Sequence, residues 1–155
     1  MARPHRLLFV CSGNICRSPI AEHLARQHAQ KTNVELEALS AGTLGLTDRP
    51  AEPHMVAVGN EVGLDLSTHV CQPLTPELLA WADHVLVMEH THYATAQEMA
   101  PDAVHKLVLL GRMIDQDEIA DPIGSWFRWQ YRRTRELLTR CVRAFVDQLP
   151  SEHED

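Results

Sequence analysis

Apolar residues recur along the chain in two rhythms. Short segments rich in Leu, Val, Ile and Phe occupy residues 7–10, 34–41, 84–88 and 104–110, each bounded by turn-forming or polar residues. Segments of that length and composition read as strands, and the uninterrupted run Leu7, Leu8, Phe9, Val10 reads as one buried on both faces. Between them the spacing becomes helical. Residues 19–31 carry Ala21, Leu24, Ala25 and His28 on one side; residues 50–61 carry Met55, Val56 and Val58 and end at the Gly63 turn. Residues 73–82 predict a short helix capped by Thr75 with Pro76 at its first position, and 91–99 predict another. A long helix over 126–148 offers Tyr131, Leu137, Leu138, Cys141, Val142, Phe145 and Val146 for burial. The looser stretch 111–124 holds Asp115, Asp117, Glu118 and Asp121, and the polar end 151–155 predicts a frayed tail. Strands alternating with helices through short connections imply an α/β fold with a doubly wound parallel sheet. No repeat or linker divides it, so one domain is expected over 1–155, with its core at about 5–147.

Ligands of such sheets bind beyond the carboxyl ends of the strands. At that end of the first strand stands Cys11, followed by Ser12, Gly13 and Asn14, which suit sharp turns. Ser18 is a candidate N-cap for the next helix, Pro19 its first residue, and Glu22 a complement to its dipole. A loop curling onto a helix N-terminus converges backbone N–H groups on one spot and makes an anion site. Arg17 adds a charged planar fork suited to phosphate oxygens, and the same positive site favours the nucleophilic thiolate of Cys11. The plainer reading is a buried structural cysteine in an ordinary strand-to-helix turn.

Charge and cysteine usage narrow the classes. The 155 residues carry a formal net charge of −7, which supplies no Lys/Arg excess for nucleic acid or anionic membranes. Cys11, Cys16, Cys71 and Cys141 have neither the spacing of a secreted disulfide framework nor that of a zinc site. No apolar run approaches the ~20 residues of a spanning helix. The N-terminus lacks the apolar core and cleavage site of a signal peptide, so a cytoplasmic setting is expected.

The stretch from Cys11 to Pro19, CSGNICRSP, resembles the signature of the low-molecular-weight protein tyrosine phosphatases. The resemblance continues in Ser40-Ala41-Gly42-Thr43, in the block from Gly63 to His69, and in Asp121-Pro122-Ile123-Gly124. It implies a four-stranded parallel sheet of order 2-1-3-4 with helices on both faces. It also implies hydrolysis of phosphotyrosine in a protein substrate through a cysteinyl-phosphate, with no metal or cofactor. Cys11 would be the nucleophile, Arg17 the clamp and Asp121 the general acid and base. Ser12, Gly13, Asn14, Ile15, Cys16, Arg17 and Ser18 would hold the phosphate, Ser18 also bonding the thiolate. Asn14, Ser40 and His69 would support the loop. By itself Asp121-Pro122 reads as a turn, with Pro122 fixing it and Gly124 loosening the chain beyond. The family counterpart of Cys16 can form a disulfide with the nucleophile; the alternative for Cys16 is a small packed residue.

Substrate choice is where the chain departs from the animal-type enzymes. Ile123 and Gly124 stand where those have two tyrosines, and the loop 43–49 offers Leu44 and Leu46 but no aromatic, a form closer to bacterial members. Leu46, Ile123 and Trp126 are candidates for the substrate rim. The cluster Trp126, Phe127, Trp129 and Tyr131 reads first as core, with one or two rings turned to the pocket as the other reading. Ile15 favours a flat phenyl ring; related arginine phosphatases carry Thr there. Arsenate reductases on this fold need a further cysteine pair, which Cys71 and Cys141 do not supply by spacing. A non-catalytic phosphate-binding protein is the reading from another class. Cys71 falls where relatives often have Arg.

Overall fold

The computed structural model describes residues 3–150; the predicted frayed tail lies outside them. In chain order the elements are β1 (His5–Cys11), α1 (Arg17–Thr32), β2 (Leu36–Gly42), α2 (Pro53–Asn60), α3 (Pro76–Trp81), β3 (His84–Val87), α4 (His90–Met99), β4 (Leu107–Leu109) and α5 (Arg128–Asp147). The four strands form one parallel sheet of order β2-β1-β3-β4, as the resemblance implied. β1 lies at its centre, paired along its length with β2 and over residues 7–10 with β3.

The alternation of side chains along β1 divides the core in two. Leu7, Phe9 and Cys11 face a cluster with Ile20, Leu24, Leu138 and Val142, whereas Leu8 and Val10 face Leu79, Ala82 and Ala96 on the opposite side. β1 is therefore buried on both faces, which is why its sequence reads as an uninterrupted apolar run. Each fully buried Leu or Phe in these layers contributes about 2 kcal/mol of transfer free energy. Helix α5 buries Tyr131, Leu138, Cys141, Val142, Phe145 and Val146, with Tyr131 stacked on His54 at 4.7 Å.

Several sequence expectations change. The fourth strand is only three residues long, because Pro101–Lys106 turns as a 3₁₀ helix with Pro101 at its start. Trp126, Phe127 and Trp129 are not core: they are 90%, 60% and 54% exposed, and only Tyr131 of that cluster is buried. Helix α5 begins at Arg128, so the first two of these rings precede the helical periodicity that would have turned them inward. Thr75 does cap α3, its Oγ1 accepting from the Leu78 N–H at 3.1 Å. Ser18 does not cap α1. The helix starts two residues earlier, at Arg17 behind Cys16, and the Ser18 hydroxyl turns back into the loop. Glu22 lies beyond the first turn of α1; it is buried, accepts a hydrogen bond from Ser40 Oγ at 2.6 Å and forms an ion pair with Arg26 at 2.5 Å.

Candidate active site

The loop between β1 and α1 is held from outside by its carbonyls. Cys11 O accepts from Thr43 N–H at 3.0 Å and Ser12 O from Leu44 N–H at 2.9 Å. Asn14 O accepts from His69 Nε2 at 2.7 Å, and Ile15 O from Glu52 N–H at 2.7 Å. A trans peptide points its N–H opposite to its C=O. Four carbonyls tied outward thus turn the N–H groups of Ser12, Gly13, Ile15 and Cys16 toward the inside of the loop. The start of α1 adds its own free donors to the same concavity.

Asn14 makes this shape possible. Its φ of +58° is left-handed, which Asn tolerates better than most residues. Its buried side chain accepts from Gln72 N–H at 2.9 Å and donates to Ser18 Oγ at 2.8 Å. Gly42, at the end of β2, lets the loop approach. A β-carbon there would lie 2.6 Å from Ser12 O and 2.9 Å from Asn14 N. Ser40 was expected among the loop supports, yet its hydroxyl bonds Glu22. It reaches the loop only through its carbonyl, which accepts from Gln72 Nε2 at 3.0 Å. Gln72 is the support that sequence reasoning missed, since it lies in an irregular segment with no local signal.

Cys11 and Ser18 meet, Sγ to Oγ, at 2.9 Å. Arg17 is fully buried, a costly place for a cation without partners. Its Nη1 donates to Glu89 Oε2 at 2.6 Å and to Ile119 O at 2.7 Å. The other edge is loosely held: Nη2 reaches Asp121 Oδ2 at 3.3 Å and Ser12 Oγ at 3.4 Å, and buried Nε has no partner among the described residues. One edge of the guanidinium is anchored and the other is left to bind an oxyanion. Glu89, at the start of α4, was also missed; an acid just after a strand carries no signal until Arg17 is seen opposite it.

Asp121 is brought to the site by Ile119. The Ile119 N–H donates to Met88 O beyond β3, and its carbonyl accepts from Arg17. Asp121 Oδ1 accepts from Ile123 N–H at 3.1 Å, which fixes the carboxyl by an Asx turn. Gly124 does not loosen this segment. Its φ of +87° completes a turn closed by Ser125 N–H on Pro122 O. Of the rim candidates, Leu46 comes within 3.4 Å of where a β-carbon on Gly13 would be, and Ile15 within 3.5 Å of the same point. Ile123 is 46% exposed beside Asp121.

The remaining cysteines are free thiols. Burial, then the neighbouring Asp121 and Cys11, push the Cys16 thiol well above its ordinary value and keep it protonated. Cys71 is buried, and its Sγ accepts from Arg49 N–H at 3.3 Å, so this position holds a backbone contact rather than a charge.

This arrangement can hold a tetrahedral oxyanion against a thiol, with a carboxyl beside Arg17 to exchange a proton. The chain matches the family described as low molecular weight phosphotyrosine protein phosphatase over residues 6–155. It is 35% identical to the low molecular weight protein-tyrosine-phosphatase Wzb of Escherichia coli (strain K12), covering 96% of this chain and 97% of that one. It is 32% identical to a protein-arginine-phosphatase of Bacillus subtilis (strain 168), covering 94% and 97%. Among solved structures, Vibrio vulnificus Wzb in complex with benzylphosphonate superposes with a TM-score of 0.86 at 30% identity, covering 94% of this chain and 99% of that one.

Proposed function

The chain belongs to the low molecular weight phosphotyrosine protein phosphatase family, and from that premise we propose how its residues divide the reaction. Cys11 attacks phosphorus in line with the leaving phenolate, while the inward N–H groups and the Nε/Nη2 edge of Arg17 hold the three equatorial oxygens. Asp121 gives its proton to the departing oxygen. The cysteinyl-phosphate is then cleaved by water, with the Asp121 carboxylate taking the water proton, and Ser18 stabilises the thiolate that leaves. The observation that carries this reading is the anchoring of Arg17: short bonds on one edge, long or absent bonds on the edge beside Ser12 and Asp121.

We assign phosphotyrosine as the substrate side chain because Ile15 and Leu46 bring apolar carbons together beside Gly13 of the loop. A phenyl ring gains from such a surface, whereas a guanidinium there would forfeit hydrogen bonds to water. Ile123 and Trp126, both exposed and following Asp121 in the chain, are the residues we propose to extend this rim. Arginine phosphate is the second reading, favoured by the Bacillus subtilis relative.

Turnover of phosphotyrosine and phosphoarginine peptides, compared side by side without metal and with reductant, tests the assignment. Phosphotyrosine is the expected substrate, with activity lost in Cys11→Ser and reduced about 10²- to 10⁴-fold in Asp121→Asn. Preference for phosphoarginine would keep the mechanism and overturn the specificity. An Asp121→Asn variant as fast as the parent would remove Asp121 from the reaction.

A further inference from the structure

A second buried polar group beside the loop plays no part in the mechanism above. His92, on α4, is 1% exposed, and its two ring nitrogens are both engaged. Nδ1 faces the backbone N–H of Glu89 at 3.1 Å, and Nε2 faces Ser12 Oγ at 2.9 Å. A backbone N–H only donates, so Nδ1 must carry a lone pair. The neutral ring then bears its hydrogen on Nε2 and donates it to the Ser12 hydroxyl oxygen. Burial and then the Arg17 charge hold the His92 pKa below the ordinary imidazole value, which keeps the ring in this neutral form.

Ser12 Oγ also accepts, at 3.4 Å, from Nη2 of Arg17. A hydroxyl has two acceptor lone pairs and one hydrogen to give. With both lone pairs taken, only its own O–H remains to be placed, beside the loosely held edge of the guanidinium.

We propose that the Ser12 hydroxyl is a side-chain hydrogen-bond donor to the bound oxyanion, and that His92 is the positioning residue that aims it. This rests on reading the loop as the phosphate site. Glu89 couples the two arms of the device: its backbone N–H fixes the imidazole tautomer and its carboxylate anchors Arg17. Ser12 is then a group that touches substrate, while His92 acts only through it.

Affinity for inorganic phosphate, measured by calorimetry at neutral pH, tests this separately from turnover. Ser12→Ala and His92→Ala are each expected to weaken phosphate binding about tenfold, as loss of a hydrogen bond to a charged group does. The double variant is expected to bind no more weakly than either single one, because both remove the same bond. His92→Gln keeps an acceptor for Glu89 N–H and a donor for Ser12, and should restore affinity to within about twofold of the parent. It also serves if His92→Ala does not fold. Parent-like phosphate affinity in Ser12→Ala would overturn the proposal, and losses that add in the double variant would remove His92 from it. A parent protein that binds phosphate with this pattern, yet turns over no phosphoester, would sink the phosphatase reading and leave this one standing.

Discussion

Gly42 shows how much of the site hangs on single atoms. It contributes no chemistry, yet any β-carbon there would overlap the carbonyl of Ser12 and the amide of Asn14. Both belong to backbone, which cannot swing aside as a long side chain can. Gly42→Ala should therefore displace the loop while leaving the sheet intact. The expected outcome is loss of phosphate affinity and at least a tenfold fall in kcat/KM, since small misplacements of a reacting group carry large penalties. Crystallography of the variant, or its phosphate affinity, checks this; an alanine variant that binds phosphate normally would show that the loop can yield. Asn14 is the complementary case. The left-handed φ needs a residue that tolerates it, and the carboxamide turns that requirement into two hydrogen bonds that lock the turn.

At the scale of elements, α2 acts as a strut. Its N-cap Glu52 gives the backbone N–H that holds Ile15 O, so the helix start braces the loop. Its other end is fastened to α5. Arg135 Nη1 donates to Val58 O at 2.9 Å and to Glu61 Oε1 at 2.7 Å, and Arg132 forks onto the same carboxylate. Cations suit the C-terminal end of a helix, where unpaired carbonyls gather. Arg135→Leu should leave the buried Val58 carbonyl without its donor and cost about 1–3 kcal/mol in urea unfolding. Turnover by the folded variant should change less than stability, because Arg135 stands away from the loop. An unfolding midpoint equal to that of the parent would show the strut to be dispensable.

For the molecule as a whole, titration sets the acid limit. His23, His84 and His92 are each held below the ordinary imidazole value of 6.5, chiefly by burial. The unfolded chain therefore takes up protons first, and stability falls as pH drops below about 6.5 toward the lowered values. Two carboxyls add to this at lower pH. Arg132 and Arg135 pull Glu61 down to about 2, and Arg3 with the Arg6 N–H pulls Asp83 to about 2. Their contribution is present above the ordinary carboxylate range and is lost as pH falls toward 2. The Tm should accordingly be level between about pH 7 and 8, decline below about 6.5, and drop further below about 4.5. A Tm that holds constant from pH 7 to 3 would contradict both assignments. In Glu61→Gln the lower part of the decline should shrink while the upper part persists.

Local sequence is enough for the α/β class, the position of each strand and helix to within a few residues, and the coincidence of Cys11 and Arg17 at one strand-to-helix turn. These depend on local periodicity and turn chemistry, which short segments carry on their own. Its family resemblance added the sheet order and singled out Asp121 among four nearby acids. What surrounds them is set by packing between segments far apart in the chain. Glu89 and His92 at the start of α4, Gln72 before α3 and Ile119 before α5 support the site from three distant segments, and nothing in their local sequence marks them. Ser18 reads locally as a helix cap; its place beside the thiol came from the family resemblance, and the cap reading fails because helix α1 begins at Arg17. The exposed rings of Trp126, Phe127 and Trp129 likewise depended on the start of α5. A side chain's direction follows the backbone frame on which it stands, and long-range packing sets that frame.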